Sequence, residues 1–315
     1  MNDLFGRNID YLRLSVTDLC DLRCVYCMDP AGVEKLAHGD ILSFEALEEL
    51  VRCAVALGVT KVRLTGGEPL TRRGIVTLCA RLKAIPGVKE LAMTTNAQTL
   101  ERFARPLREA GLDRLNVSLD TLDPDQYRRL TRGGELERVL RGIEAAEAAG
   151  FPPVKLNAVL LGGVNDDQIR PLAELAQQSP RSVRFIELMP IGVCARFDPA
   201  RFVSADCVLE RLPELRPLDR DGVALRYTAP GWAGTVGLIR PMTDHFCPAC
   251  SRIRITSRGF LKPCLHDAAE IPLRGLHGQA LTEAMMQAIL CKPRQHHLGP
   301  DVPSGAGRAM YEIGG

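Results

Sequence analysis

The sequence predicts an α/β fold, a partial barrel of six strand–helix units followed by a smaller C-terminal region. Apolar strand-like runs alternate with amphipathic helical runs from residue 9 to about residue 189. Strand–helix–strand units of this kind are right-handed and build a parallel sheet. After Met189 the rhythm stops, and residues 190–235 become rich in Pro and Gly, with only a short helix near 204–212. The expected division is therefore 1–189 for the barrel and 190–315 for the C-terminal region.

Residues 9–16 read as the first strand, and a cysteine-bearing loop follows it. Ser43 caps a helix over 44–57, where Leu47, Leu50, Val51 and Ala54 recur at helical spacing. Val59–Leu64 is the second strand, and it runs into Thr65-Gly66-Gly67-Glu68-Pro69. The pattern continues with a helix at 72–84, a strand at 90–95, a helix at 99–110 and a strand at 114–119. Helices at 123–130 and 135–149 precede a strand at 154–161. A helix at 166–178 leads to a strand at 183–189.

Composition narrows the function. Hydrophobic residues are 46% and charged residues 25% of 315, ordinary for a soluble domain. A formal net charge of +2 gives no reason to expect a nucleic-acid or membrane surface. No apolar run has the length of a membrane span, and the N-terminus lacks a signal-peptide core. Eleven cysteines then point to a reducing compartment, the cytoplasm, and to metal ligation rather than disulfides. Cys53, Cys79, Cys194, Cys207 and Cys291 are scattered and read as bystanders.

The other six cysteines form two groups. Cys20, Cys24 and Cys27 stand at C-x3-C-x2-C directly after the first strand. A structural zinc site needs a fourth ligand, for which Asp18 or His38 is near. A four-iron cluster held by three thiolates instead leaves one iron open. S-adenosylmethionine suits that iron through its amino and carboxylate groups. Cys247, Cys250 and Cys264 stand at C-x2-C-x13-C, which suits a second such cluster or a zinc site completed by His245 or His266.

Buried parallel strands are nearly all apolar, yet Arg13, Arg63 and Lys155 each interrupt one. A buried cation needs an anion, either a carboxylate of the chain or a ligand. Three on separate strands favour an anion-binding interior. Arg252 and Arg254 alternate with Ile253 and Ile255, so on a strand both guanidinium groups share one face. That face suits a polyphosphate. No Gly-x4-Gly-Lys-Ser/Thr loop exists, so side chains would hold a nucleotide.

The first cysteine loop, with Tyr26 before its last cysteine, resembles the signature of the radical SAM superfamily. With the second trio and the terminal Gly-Gly, nearly the whole chain, from about Asp10 to Gly315, is similar to the GTP 3′,8-cyclases that open molybdenum cofactor biosynthesis. The resemblance implies two [4Fe-4S] clusters, on Cys20, Cys24 and Cys27 and on Cys247, Cys250 and Cys264. It implies S-adenosylmethionine contacts at Tyr26, Gly67, Ser118 and Met189. Without it, the segment around Gly67 reads as a plain turn, and Ser118 and Met189 as strand-end residues. GTP contacts fall on Arg13, Arg63, Thr94, Lys155, Arg252 and Arg254, and the Gly314-Gly315 tail would reach the active site. A 5′-deoxyadenosyl radical would take the ribose 3′ hydrogen, and the 3′ carbon would join guanine C8. Implied partners are an electron donor of flavodoxin or ferredoxin type, a downstream cyclic pyranopterin monophosphate synthase, and a second copy in a homodimer. The chain departs from the family's usual residues at Asp29 (Pro), Ala97 (Gly) and Ser251 (Asn). Two rivals stand beside this reading. One is another two-cluster radical SAM enzyme acting on a different nucleotide or a peptide. The other is a zinc-stabilised, nucleotide-binding sensor.

Overall fold

In a computed structural model, residues 1–33, 38–298 and 304–314 are described. The six expected units are present. Strands β1 (Tyr11–Ser15), β2 (Lys61–Thr65), β3 (Glu90–Thr95), β4 (Arg114–Ser118), β5 (Lys155–Leu160) and β6 (Ser182–Glu187) pair in sequence order, all parallel. Helices α1 (Phe44–Ala56), α2 (Ile75–Lys83), α3 (Leu100–Glu109), α4 (Pro124–Thr131), α5 (Leu136–Ala148) and α6 (Ile169–Glu174) connect them. Ser43 Oγ accepts from the Ala46 N–H and caps α1, whose buried stripe is Leu47, Leu50, Val51 and Ala54.

The segment after Met189 differs from its sequence reading. It carries more than the short helix α7 (Cys207–Arg211). Strands β7 (Arg216–Asp221) and β8 (Ala224–Thr228) form a hairpin, and β9 (Thr235–Ile239) pairs parallel with β6. The hairpin signal was the two-residue Gly222-Val223 turn between Asp221 and Ala224, with Gly222 at φ 62°. β7 is exposed along most of its length, so it lacks the apolar alternation that marks a strand. At the other edge, β10 (Arg252–Ile255) pairs parallel with β1. β11 (Phe260–Lys262) and β12 (Ile271–Pro272) follow antiparallel.

One twelve-stranded sheet results, in the order β12-β11-β10-β1-β2-β3-β4-β5-β6-β9-β8-β7. Residues beyond 189 thus extend both edges of the barrel sheet. Two further helices follow, α8 (Gly278–Leu290) and the short α9 (Met310–Ile313). α8 buries Leu281, Met285, Ala288 and Ile289 in the main core, which runs between the sheet and its helices. No helix among the described residues is long and apolar enough to cross a membrane.

Candidate active site

Parallel strands deliver their following loops to one end of the sheet, which is where α/β enzymes place their sites. The loop after β1 carries Cys20, Cys24 and Cys27. It closes on itself through the Cys27 and Met28 N–H groups, both donating to the Cys24 carbonyl at 2.9 and 3.1 Å. The turn after β2 packs directly on it, with the Gly67 N–H donating to the Thr17 carbonyl and the Glu68 N–H to the Leu19 carbonyl, each at 2.8 Å. A Cβ on Gly67 would lie 2.3 Å from the Leu19 carbonyl oxygen. The glycine pair therefore admits the cysteine loop itself at close range.

Burial is the main force on all three thiols and pushes each upward, Cys27 to about 11. Neighbouring thiols of the trio add to the rise at Cys20 and Cys24. Three thiols raised by burial and, at Cys20 and Cys24, by one another fit an iron-bearing group, whose positive charge would offset the penalty on their thiolates.

Below this loop the strands present a band of cations. Arg254, Arg13 and Arg63 are paired in register on β10, β1 and β2. Strands about 4.8 Å apart place three guanidinium groups across roughly 10 Å. Tyr11 lies in register with Arg252, and its hydroxyl accepts from Arg63 Nε. Burial raises the Tyr11 pKa, but Arg63, Arg13 and Arg252 outweigh it and bring the phenol down to about 8. Burial, reinforced by Arg252, lowers Arg254 to about 10. A region this positive binds anions.

The distal trio lies at the other end. Cys247 and Cys250 precede β10, and Cys264 follows β11, which runs back antiparallel to it. All three thus lie near the start of β10, whereas Cys20–Cys27 follow the end of its parallel neighbour β1. Five residues at about 3.3 Å each put roughly 16 Å of strand between them. Burial raises Cys247, while at Cys250 it is outweighed by Lys292, Arg252 and Arg7, which lower the thiol. That donor set also fits an iron cluster. His245, His296 and His266 cluster beside it, with the His296 ring tilted against His245 and edge-on to His266 at centroid distances of 4.3 and 4.7 Å. Among the described residues, no three His, Cys, Asp or Glu side chains converge closely enough to hold a single metal ion.

Residues 14–176 match the radical SAM superfamily, and residues 181–298 match the Molybdenum Cofactor Synthesis C family. The GTP 3′,8-cyclase of Alkaliphilus oremlandii is 46% identical over 320 residues, covering 100% of both chains. The chain belongs to the GTP 3′,8-cyclase family. That of Alkaliphilus metalliredigens is 44% identical, again with 100% of both covered. Among solved structures, Streptococcus suis SuiB bound to S-adenosylmethionine aligns with a TM-score of 0.60 at 17% identity. The match covers 91% of this chain and 64% of that one, so it speaks to the fold alone.

One cavity of about 1060 Å³ gathers the predicted site residues of this cyclase family member. Both cysteine trios line it, as do Tyr26, Gly67, Ser118 and Met189, and Arg13, Arg63, Thr94, Lys155, Arg252 and Arg254. The tail approaches as well. Met310 and Tyr311 line the cavity, and the Gly314 carbonyl accepts from Arg254 Nη1 at 2.5 Å. A Cβ on Gly314 would meet Thr65 Oγ1 at 2.3 Å. Gly315 lies outside the described residues.

For Lys155 the anion turns out to be a carboxylate. Asp221 Oδ2 lies 2.6 Å from its Nζ and 2.5 Å from Arg184 Nη2. Sequence reasoning missed both new residues. Arg184 shows the same signal as Arg13, a lone cation within Val183-Arg184-Phe185-Ile186. Asp221 gave none, because its hairpin was read as a loop. Tyr11 was legible by period, two residues from Arg13 on the same face.

Two buried carboxylates brace the loops. Asp120, raised by burial to about 6, accepts from the Tyr26 hydroxyl at 2.6 Å and the Val159 N–H at 2.9 Å. Glu68, raised by burial to about 7, accepts from Thr95 Oγ1 and the Asn96 N–H, each at 2.7 Å. The Tyr26 bond ties the cysteine loop to the end of β4.

Proposed function

We propose that this chain converts GTP to 3′,8-cyclo-7,8-dihydro-GTP by radical SAM chemistry, the first step of molybdopterin biosynthesis. The observation that carries the reading is one cavity with a cysteine trio at each end and a band of strand cations between. A nucleoside triphosphate suits that layout, with its triphosphate on the cation band and its nucleoside within reach of the cysteine trios.

Cys20, Cys24 and Cys27 would hold one [4Fe-4S] cluster, and Cys247, Cys250 and Cys264 a second. The first, with S-adenosylmethionine, supplies a 5′-deoxyadenosyl radical as hydrogen abstractor. The chain's own residues do the rest. Arg13, Arg63, Arg252 and Arg254 neutralise the triphosphate, joined by Lys155, and Thr94 adds a hydroxyl. Arg254 also fixes the tail through Gly314. Gly67 and Met189 shape the end near the first trio, with Ser118 and Tyr26 beside them. Closure of the cavity around its bound substrates would keep water and stray hydrogen donors from the radical. All eleven cysteines are free, which suits a reducing cytoplasm with a flavodoxin- or ferredoxin-type donor. The product would pass to a cyclic pyranopterin monophosphate synthase.

The test is an anaerobic assay of reconstituted protein with GTP, S-adenosylmethionine and dithionite, read by mass spectrometry. GTP-dependent 5′-deoxyadenosine, an isomeric cyclic nucleotide and about eight irons per chain are expected. Cleavage indifferent to GTP would remove GTP as substrate. Cys24→Ala should abolish cofactor cleavage, whereas Cys250→Ala should keep some uncoupled cleavage and lose cyclisation. Equal loss of cleavage in both variants would sink the separate roles.

A further inference from the structure

The cysteine loop has two faces. Cys24, Tyr26 and Cys27 line the large cavity, but Val25 between them lines a second, outward-facing pocket of about 640 Å³. One loop's thickness therefore separates that pocket from the first trio. Its floor is apolar, made by Val25 with Leu130, Leu161, Val164 and Phe197. The floor is pinned to the loop from behind, with the Val25 N–H donating to the Leu130 carbonyl at 2.8 Å and Cys194 Sγ to the Tyr26 carbonyl at 2.8 Å.

The rim is basic. Arg129, Arg196 and Arg201 line it and are exposed, with Asp198 as the one acidic lining residue. Among the described residues, none of the three arginines is ion-paired with a carboxylate. Arg132 stands on the same flank and donates to the Arg23 and Met28 carbonyls, which brackets the cysteine loop. The whole chain carries only +2, so this clustering is local.

We propose that this pocket docks an acidic electron-carrier protein, specifically a flavodoxin. The proposal rests on the radical SAM reading of the cavity. A flavodoxin presents the flat, apolar edge of its flavin within acidic surface. An apolar hollow rimmed by arginines complements both features. Docking there places the flavin one loop away from the group on Cys20, Cys24 and Cys27. The reduced flavodoxin loses one electron, that group gains it, and no bond is made or broken.

The experiment compares the reconstituted parent with an Arg129→Glu/Arg196→Glu variant. Calorimetric titration with oxidised flavodoxin should show affinity weakened about 10-fold or more at low salt, with a flatter salt dependence. 5′-Deoxyadenosine formation driven by reduced flavodoxin should fall in parallel. The rate driven by dithionite, which needs no docking, should stay within about two-fold of the parent. An Arg129→Gln/Arg196→Gln variant should fall between. Unchanged flavodoxin affinity in the Glu variant overturns the proposal. So does an equal loss with both reductants, which would make the arginines structural supports of the loop. A parent that cleaves no S-adenosylmethionine even with dithionite defeats the underlying enzymatic reading instead, and the affinity titration still decides the docking.

Discussion

Asp221 places one carboxylate oxygen within 2.6 Å of Lys155 and 2.5 Å of Arg184, and so balances two cations of the cavity at once. An incoming triphosphate competes with it for the same donors. The carboxylate is 38% exposed, which screens the interaction and limits its worth to about 1 kcal/mol. Asp221→Asn should therefore tighten GTP binding roughly five-fold, measured by equilibrium dialysis without S-adenosylmethionine. Weaker binding would show that the carboxylate orients the two cations instead. Ala97 makes a second point at this scale. Its φ of 62° lies in the left-handed region, which a glycine would adopt without strain. The methyl group is fully buried, and its burial offsets part of the strain.

Glu187 shows how one residue couples elements. It ends β6, is fully buried, and accepts from the N–H groups of Ala205, Met242 and Thr243 and from Thr243 Oγ1. It thus ties the segment before α7 and the one after β9 to the sheet. Glu187→Ala leaves the buried Ala205 N–H unpaired, at about 1–3 kcal/mol, and also removes the acceptor of the half-buried Met242 N–H and the Thr243 donors. A fall in Tm of at least about 6 °C is expected by calorimetry. A change below about 2 °C would mean water satisfies those groups. Gly67→Ala sets a Cβ against the Leu19 carbonyl, so the cysteine loop must shift. It should lose iron loading while keeping its fold by circular dichroism, and full loading would refute that packing argument. The six barrel units were legible because each buried strand and amphipathic helix repeats its own period, as the stripe of α1 does. The hairpin β7–β8 was not, because an exposed edge strand has no face to pattern. β9 was hidden by its brevity and its central Gly237, and α8 by the absence of repeating units around it. The site was legible where charge broke an apolar strand, at Arg13 and Arg63. It was illegible where a residue's meaning depended on a distant partner, as for Asp221.

At the scale of the whole molecule, the chain's two ends hold the distal trio in place. Arg7, near the N-terminus, is buried and ion-paired with Asp3 at 2.6 Å. Its guanidinium also donates to the Cys247 and Arg294 carbonyls at 3.0 Å and to the Pro293 carbonyl at 2.7 Å. Lys292 closes the same knot, donating to the Arg252 and Pro263 carbonyls at 2.8 and 2.7 Å. The segments bearing Cys247, Cys250 and Cys264 are therefore positioned by residues far away in sequence. Among the described residues, neither Arg7 nor Lys292 bonds the Cys20–Cys27 loop, whose braces include Leu130, Asp120, Cys194 and Arg132. Arg7→Ala removes several bonds from buried carbonyls and strands the Asp3 carboxylate, a loss of about 3–5 kcal/mol concentrated at the distal end. The variant should retain about four irons per chain where the parent holds about eight. It should still cleave S-adenosylmethionine, but without dependence on GTP. Iron and sulfide analysis with the cleavage assay decides it. Full iron content would show that the distal site holds its shape without the N-terminal clamp, and loss of all iron would show that the two ends of the cavity fold as one unit.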